Sequence, residues 1–576
     1  MVIRNKIKAY FERAHLSVCV LGALLLLYSN YCLAQNQFEN PILPGGYPDP
    51  SICRVGDTFY MVNSSFEYFP GLPIHKSKDL VNWELVGHGL HRPSQCSGDV
   101  NLLDVQSDGG IHAPSIRYYK GWFYIITTNV YHHAQTKTTD FVNFILKSKT
   151  PEGPWSDPIV IKGAPGIDPD LFFDNDGRVW YVGNQMPENP NFQGEGEIWL
   201  QELNPDNWSL IGERHLLWRG ACGGLWAEGP HLYKRNGVYY LLIAEGGTSF
   251  NHAVMLAASS SIIGPYESND RNPVLTTRHL SYDNWVHSVG HADLFALEDD
   301  RWFMVALGVR GDIDRGSNMG RETHLVPVQW EKEPFDWKTP RYEWPIVATK
   351  TGTIQQLNEL PFHNTTQNID LDFEDEFNGS TLNNYWNFRR VPDTNGFSLT
   401  SHPGFLRLFC NKTAFKKRTS YNFLGIKQTQ SVFKFEADMW FDPKNKSSEA
   451  GIAWIQKDNY YLTFSVSPSN NGLQLELKVK SLDQQDVTTI ASKYLEGYQG
   501  KIQFKIEANK DEYTFLYKTN HTNFQKFTKT PAHILISKGY TGAHLGPFSS
   551  GLHSMSKDFA DFDNIFIKCN TLILNN

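Results

Sequence analysis

The sequence predicts an all-β chain, a five-bladed β-propeller followed by a β-sandwich. One motif recurs five times between residues 49 and 303, at intervals that suit one four-stranded sheet per copy. Composition agrees: 45 Gly and 30 Pro cut a chain with 14% aromatic and only 20% charged residues into short pieces, a pattern of strands and turns. Beyond residue 365, apolar and polar residues alternate with a period of two and no long helical period intervenes. A chain of 576 residues exceeds what one hydrophobic core supports, so two domains are expected, at 35–364 and 365–576.

Residues 1–34 precede both domains and read as a signal peptide. Basic Arg4, Lys6, Lys8 and Arg13 lead into an apolar run from Leu16 to Leu27, too short to span a bilayer, and Cys32-Leu33-Ala34 stands before Gln35. Cleavage after Ala34 is expected; lipid attachment at Cys32 is the competing reading. Either route places the protein outside the cytoplasm, secreted or periplasmic. Removing the leader takes away four basic residues and one acidic one, so the formal net charge moves from −8 to −11. Such a chain repels nucleic acid and anionic lipid, which argues against both as partners once the signal is removed. Five cysteines remain (Cys53, Cys96, Cys222, Cys410, Cys569), too sparse for a disulfide framework.

Each propeller repeat is a polar head, a short strand, a turn and an aromatic strand. The heads are Asp49, His112, Asp168, Glu228 and His291, spaced evenly enough for one blade each. Hairpin turns follow at Gly56-Asp57, Lys120-Gly121, Asp176-Gly177, Asn236-Gly237 and, most weakly, Asp299-Asp300. The innermost strand of every blade runs along the central channel, so equivalent heads converge on one end of the axis. Asp-Pro and Glu-Gly-Pro are also ordinary strand-entry turns. Three carboxylates and two imidazoles at equivalent positions nevertheless cost desolvation energy that small apolar residues would avoid, which points to chemistry.

Hydrolysis of a glycosidic bond needs one carboxylic acid to protonate the departing oxygen and one carboxylate to activate water or to attack. Carboxylates on different blades face each other across a channel and leave room for that water, the arrangement that goes with inversion at a separation of roughly 6.5–9.5 Å. A third carboxylate raises the acid's pKa.

These residues resemble glycoside hydrolase family 43, the inverting β-xylosidases and α-L-arabinofuranosidases. The resemblance is carried by Tyr47-Pro48-Asp49-Pro50-Ser51, Gly166-Ile167-Asp168-Pro169-Asp170 and the run from Ala227 to Tyr233. It implies Asp49 as general base, Glu228 as general acid and Asp168 as pKa modulator. Blocks at Ser64–Gly71, Ala244–Thr248, Asn251–Ala253 and Gly320–Thr323 resemble its two-domain β-xylosidase branch. They imply Phe66, His112, Thr248 and Arg321 as substrate-binding residues, with Phe66 walling the sugar and Arg321 bonding its hydroxyls. His112 stands where many members carry Trp, so the stacking surface differs. His291 resembles an axial histidine that often sits near a calcium ion through water; no cofactor is needed for the chemistry, and a structural calcium ion is an expectation of the resemblance alone.

The second domain alternates through Phe433–Met439, Tyr460–Val466 and Leu473–Val479, which predicts a β-sandwich. Its ends, Asp372–Phe377 and Asp561–Ile565, resemble the lectin-like jelly roll of that branch, and Tyr540–Gly546 is the candidate for a loop narrowing the propeller mouth. The implied partner is a plant cell-wall oligosaccharide or polysaccharide. The leading reading is an exo-acting enzyme releasing terminal β-D-xylosyl units from xylan-derived oligosaccharides. The alternative removes α-L-arabinofuranosyl side chains from arabinoxylan or arabinan, and a third is a non-catalytic carbohydrate-binding propeller.

Overall fold

The computed structural model describes residues 36–331, 342–363, 365–412, 415, 418–470, 472–519, 523–552 and 556–569. The leader and Cys32 lie outside the described residues. Those described are strands, turns and two short 3-10 helices, and none of their helices is long and apolar enough to cross a membrane. All five remaining cysteines are free.

Five antiparallel sheets form the propeller. Their innermost strands are Ser51–Val55, Gly110–Tyr119, Asp170–Phe173, Glu228–Arg235 and Val286–Ala296 in blades 1 to 5. Two-residue turns between first and second strands put Lys120 and Gly121, and again Asn236 and Gly237, at positive φ, the type I′ geometry whose twist matches that of a hairpin. Gln37–Glu39 pairs with Leu357–Glu359 in a separate two-stranded sheet that ties the segment before blade 1 to the segment after blade 5, a closure of the ring. Asn40 adds to the closure, its side chain donating to Leu325 O and accepting from Leu325 N.

Large apolar side chains fill the wedges between blades. Phe59, Met61, Phe303 and Val305 pack blade 1 against blade 5; Tyr181 and Trp199 pack blade 3 against Ile126 and Ile145 of blade 2. Leu241 and Ile243 meet Val182 and Leu200, and Leu242 and Leu256 meet Ala292 and Met304. The wedge between blades 1 and 2 differs, because Leu72, Ile111, Ile125 and Phe144 belong to the same continuous core as Trp386, Trp454 and Phe464 of the second domain.

That domain is a sandwich of two antiparallel sheets. Alternation places Phe433, Phe435, Ala437 and Met439 inside while Lys434 and Glu436 point out. The second sheet ends on a strand that the propeller donates: Tyr68–Phe69 pairs with Asn387–Arg389, so one sheet crosses the seam between domains. Beside it Arg389 is wholly buried, with Nη2 2.7 Å from Glu67 Oε1 and Nε 2.9 Å from Asp458 Oδ1.

The heads hold one departure from simple repetition. Left-handed backbone occurs at Asp49 (φ 52°), Ala113 (30°), Asp168 (54°), Gly229 (58°) and His291 (40°). Equivalence therefore runs through Ala113 and Gly229, and His112 and Glu228 each stand one residue earlier. Bulges between His112 and Ser115, and between Glu228 and His231, extend those two strands past the turn. Such bulges re-aim a side chain, and here they deliver Glu228 from blade 4 to the axis. Two residues beyond the left-handed position, a polar tier fills the axis. Arg117 Nη2 lies 2.6 Å from Asp170 and its Nη1 3.0 Å from Asp293; Ser51 and Tyr233 also donate to Asp293.

Candidate active site

Above that tier opens a cleft of about 960 Å³, lined by Asp49, His112, Asp168, Glu228, Thr248, His291, Arg321 and Tyr540 among others. The three carboxylates thus meet in one cavity, each from a different blade.

Asp49 is held as an anion. Its Oδ2 accepts the Ser64 hydroxyl at 2.6 Å, and Ser64 Oγ is itself fixed by the Ala113 N–H at 2.7 Å. Arg321 Nη1 lies 3.1 Å from Oδ1 and His291 Nδ1 3.9 Å from it. Burial pushes the Asp49 carboxyl up, but Arg321, His291 and the Ser64 bond together outweigh it and hold it below the usual carboxylate range. Glu228 has the opposite balance: burial and the Asp49 charge push it up to about 7, with only Arg321 opposing.

Asp168 is raised too, by burial and then by Glu228 and Asp49. The two carboxyls interact strongly and titrate as a pair that retains one proton near neutrality. Asp168 Oδ2 accepts the Gly229 N–H at 3.1 Å, a bond that favours charge on Asp168 but is outweighed by burial and by the neighbouring carboxylates. Gly229 is required here, because a Cβ would lie 2.9 Å from the His291 ring.

Arg321 links the site together. Besides Asp49 it donates to Thr248 Oγ1 at 3.0 Å and to Tyr540 O at 3.3 Å, and its guanidinium lies 5.5 Å from the Phe66 ring centroid and 5.1 Å from that of Tyr540. Phe66 is 2% exposed, edge-on to His112 at 5.0 Å. Its ring backs the groups facing the cleft. His112 is neutral, since burial lowers it to about 4, and its Nε2–H donates to Asp108 O at 3.1 Å. Asp108 Oδ1 in turn accepts the Tyr540 N–H at 2.9 Å, fastening the sandwich loop over one end of the cleft.

Two positioning residues were not read from the sequence. Ser64 lies within the Ser64–Gly71 block but carries no motif signal of its own. Asn184 accepts the Ile167 N–H at 2.9 Å and donates to Ala227 O at 3.2 Å, clipping the residues just before Asp168 and Glu228. It sits half-buried on a second strand, at no repeat head, where only its contacts with both motifs reveal it.

The sequence profile of glycosyl hydrolases family 43 matches residues 38–335, and that of a β-xylosidase C-terminal concanavalin A-like domain matches residues 374–568. The chain belongs to glycosyl hydrolase family 43. It is 36% identical over 537 residues to a xylosidase/arabinosidase of Butyrivibrio fibrisolvens, covering 91% of this chain and 98% of that one. A non-reducing end α-L-arabinofuranosidase of Bacteroides ovatus is 34% identical over 94% of this chain and 97% of its own length. The solved xylan β-1,4-xylosidase of Bacillus halodurans superposes with a TM-score of 0.83 at 29% identity, over 92% of this chain and all of that one.

For a family 43 member, a calcium ion near the axial histidine has to be weighed against the donors present. Asp168, Glu228 and His291 bring one ligand atom each within 4.8 Å of one another. Calcium takes six to eight oxygens, and two carboxyls that share a proton plus one imidazole are a poor match for direct coordination.

The electrostatics fix a pH profile. If Asp49 serves as base and Glu228 as acid, activity requires Asp49 ionised and the Glu228–Asp168 pair still protonated. We therefore expect kcat/KM to rise through an acid limb below the ordinary carboxylate range and to fall through an alkaline limb near pH 7. Initial rates across pH check it; a flat profile from pH 6 to 9 contradicts the proton on Glu228.

Proposed function

We propose that this hydrolase is an inverting, exo-acting enzyme that releases terminal β-D-xylosyl units from xylan-derived oligosaccharides. The observation that carries the reading is the divergence of two carboxyls in one cleft: Asp49 held ionised, Glu228 held protonated. In this mechanism Glu228 donates its proton to the departing glycosidic oxygen. Asp49, kept charged by Arg321 and oriented by Ser64, takes a proton from the water that attacks the anomeric carbon. Asp168, oriented by the Gly229 N–H, is assigned as the neighbouring modulator of the acid, while the charge that raises Glu228 is that of Asp49. A site that only holds sugar gains nothing from a protonated Glu228, which weighs against a binding-only propeller.

Exo action is supported by the closed end of the cleft, where Arg321, His112 and Tyr540 meet over Phe66. In this reading the terminal sugar sits at that end. A second reading, α-L-arabinofuranosidase, is favoured by the Bacteroides ovatus relative and by the small imidazole of His112 in the stacking wall. We also place the enzyme outside the cytoplasm on the strength of its leader, with neither nucleic acid nor lipid as partner given its negative charge.

The test pairs initial rates on 4-nitrophenyl β-D-xylopyranoside and α-L-arabinofuranoside with proton NMR of the first-formed sugar. Faster turnover of the xyloside and an inverted anomer are expected. A preference for the arabinoside selects the second reading, and a retained anomer overturns the role given to Asp49.

A further inference from the structure

Next to Glu228 stands an aromatic side chain that the mechanism above leaves unused. Trp226 lines the cleft, is 47% exposed and has left-handed backbone at φ 53°. A bulky residue in that region is strained, and strain of this kind persists only where the surroundings impose it. Here they do. The Trp226 N–H donates to Gly194 O, and Gly194 packs so closely on the indole that a Cβ would lie 2.4 Å from Cε2. On another side a Cβ at Gly247 would lie 3.1 Å from Cδ1. Two glycines thus seat the ring.

The loop that carries it is fixed from behind by a carboxylate. Glu245 is fully buried and accepts N–H groups from Ala221 at 2.9 Å, Cys222 at 3.0 Å and Gly224 at 2.8 Å. Gly220 must lack a side chain to let the loop wrap, since a Cβ there would sit 2.7 Å from the Glu245 carboxyl carbon. A strained, solvent-exposed tryptophan with its own glycine seat and a buried anion organising its loop is a costly construction for a surface residue.

Position gives its use. Trp226 precedes Glu228 by two residues and both line the cleft, which puts the indole on the rim that carries the acid. The proton on Glu228 goes to the leaving-group oxygen, and the sugar bearing that oxygen must lie against this rim. We propose that Trp226 is the stacking platform for the leaving-group pyranose, and that Glu245 positions it by holding the 220–225 loop. The ligand class is a xylopyranosyl unit, whose ring lacks an exocyclic CH₂OH and presents flat C–H faces to an aromatic. It is the leaving-group sugar whether the released unit is a terminal xylose or an arabinose side chain on a xylan backbone.

This rests on the hydrolytic reading, so the test separates the two. For native enzyme, Trp226→Ala, Trp226→Phe and Glu245→Gln, kcat/KM is measured on xylobiose and on β-D-xylosyl fluoride, whose leaving group has no sugar ring. The ratio of xylobiose to fluoride is expected to fall about tenfold in Trp226→Ala, from the loss of one aromatic contact, and to recover most of that in Trp226→Phe. Glu245→Gln should lower the ratio in the same direction, mainly through KM. An unchanged ratio in Trp226→Ala, or in Trp226→Phe and Glu245→Gln together should the alanine variant not fold, overturns the platform while leaving the hydrolase assignment intact. Failure of native enzyme to hydrolyse either substrate would instead remove the reading beneath it.

Discussion

Glu228→Gln is expected to lower kcat on xylo-oligosaccharides by about 10²–10⁴-fold, the range that a positioned general acid supplies. The substitution keeps shape and removes the transferable proton. Because Asp49 and Asp168 remain, the water is still activated and the sugar still bound, so KM should change little. Leaving-group chemistry gives a sharper check. A 4-nitrophenolate leaves with little protonation, so the variant should lose far less on the 4-nitrophenyl glycoside than on xylobiose. The alkaline limb near pH 7 should also vanish, since it reports the proton that Glu228 and Asp168 share. Equal losses on both leaving groups, with the limb intact, would move the acid role to another residue. Folding is not at stake in this variant: the amide matches the protonated acid in shape and charge, and it accepts and donates hydrogen bonds.

The carboxylates were legible because their neighbours are constrained by backbone geometry. Asp49-Pro50 and Asp168-Pro169 form the left-handed turn that leads into the inner strands of blades 1 and 3, and proline after the turn makes them visible in sequence. Glu228 was legible as a carboxyl of the cleft but not in register. Gly229 takes the left-handed position and a bulge re-aims the acid toward the axis, and one-residue bulges leave no sequence period behind them. Contacts made across the fold were less readable still. Ser64 and Asn184 act through single hydrogen bonds to partners 15 to 49 residues away, which no local pattern encodes. Tyr540 came from resemblance, since nothing in Tyr540–Gly546 itself says that the loop reaches a cleft built hundreds of residues earlier. The strand Tyr68–Phe69 is two residues long, so its transfer from propeller to sandwich had no alternation to announce it.

That transfer makes the seam between domains the second place where one substitution should matter greatly. Arg389→Met is expected to destabilise the protein by about 3–5 kcal/mol, the usual result of removing one partner of a buried ion pair. Its guanidinium has no exposure and serves both domains at once, reaching Glu67, Tyr68 Oη at 2.9 Å and Ser107 Oγ at 2.8 Å in the propeller, and Asp458 in the sandwich. Arg390 also pairs with Asp458, so that carboxylate keeps a counter-charge in the variant. Glu67 does not fare as well. Burial already pushes it up to about 7 against the pull of Arg389, and without that pull it must take up a proton or lie unpaired in the core. The loss should therefore be largest at high pH, where protonating Glu67 is hardest. Urea unfolding at pH 6 and pH 8 measures both the magnitude and its sign with pH. A double variant, Arg389→Met with Glu67→Gln, separates charge from packing: it should recover a substantial part of the loss, because no buried anion is left behind. Equal destabilisation in the single and double variants would assign the effect to lost volume and hydrogen bonds. In either outcome the cleft feels the seam, for the strand that Arg389 anchors follows directly on Phe66, whose ring backs Arg321, His112 and Tyr540.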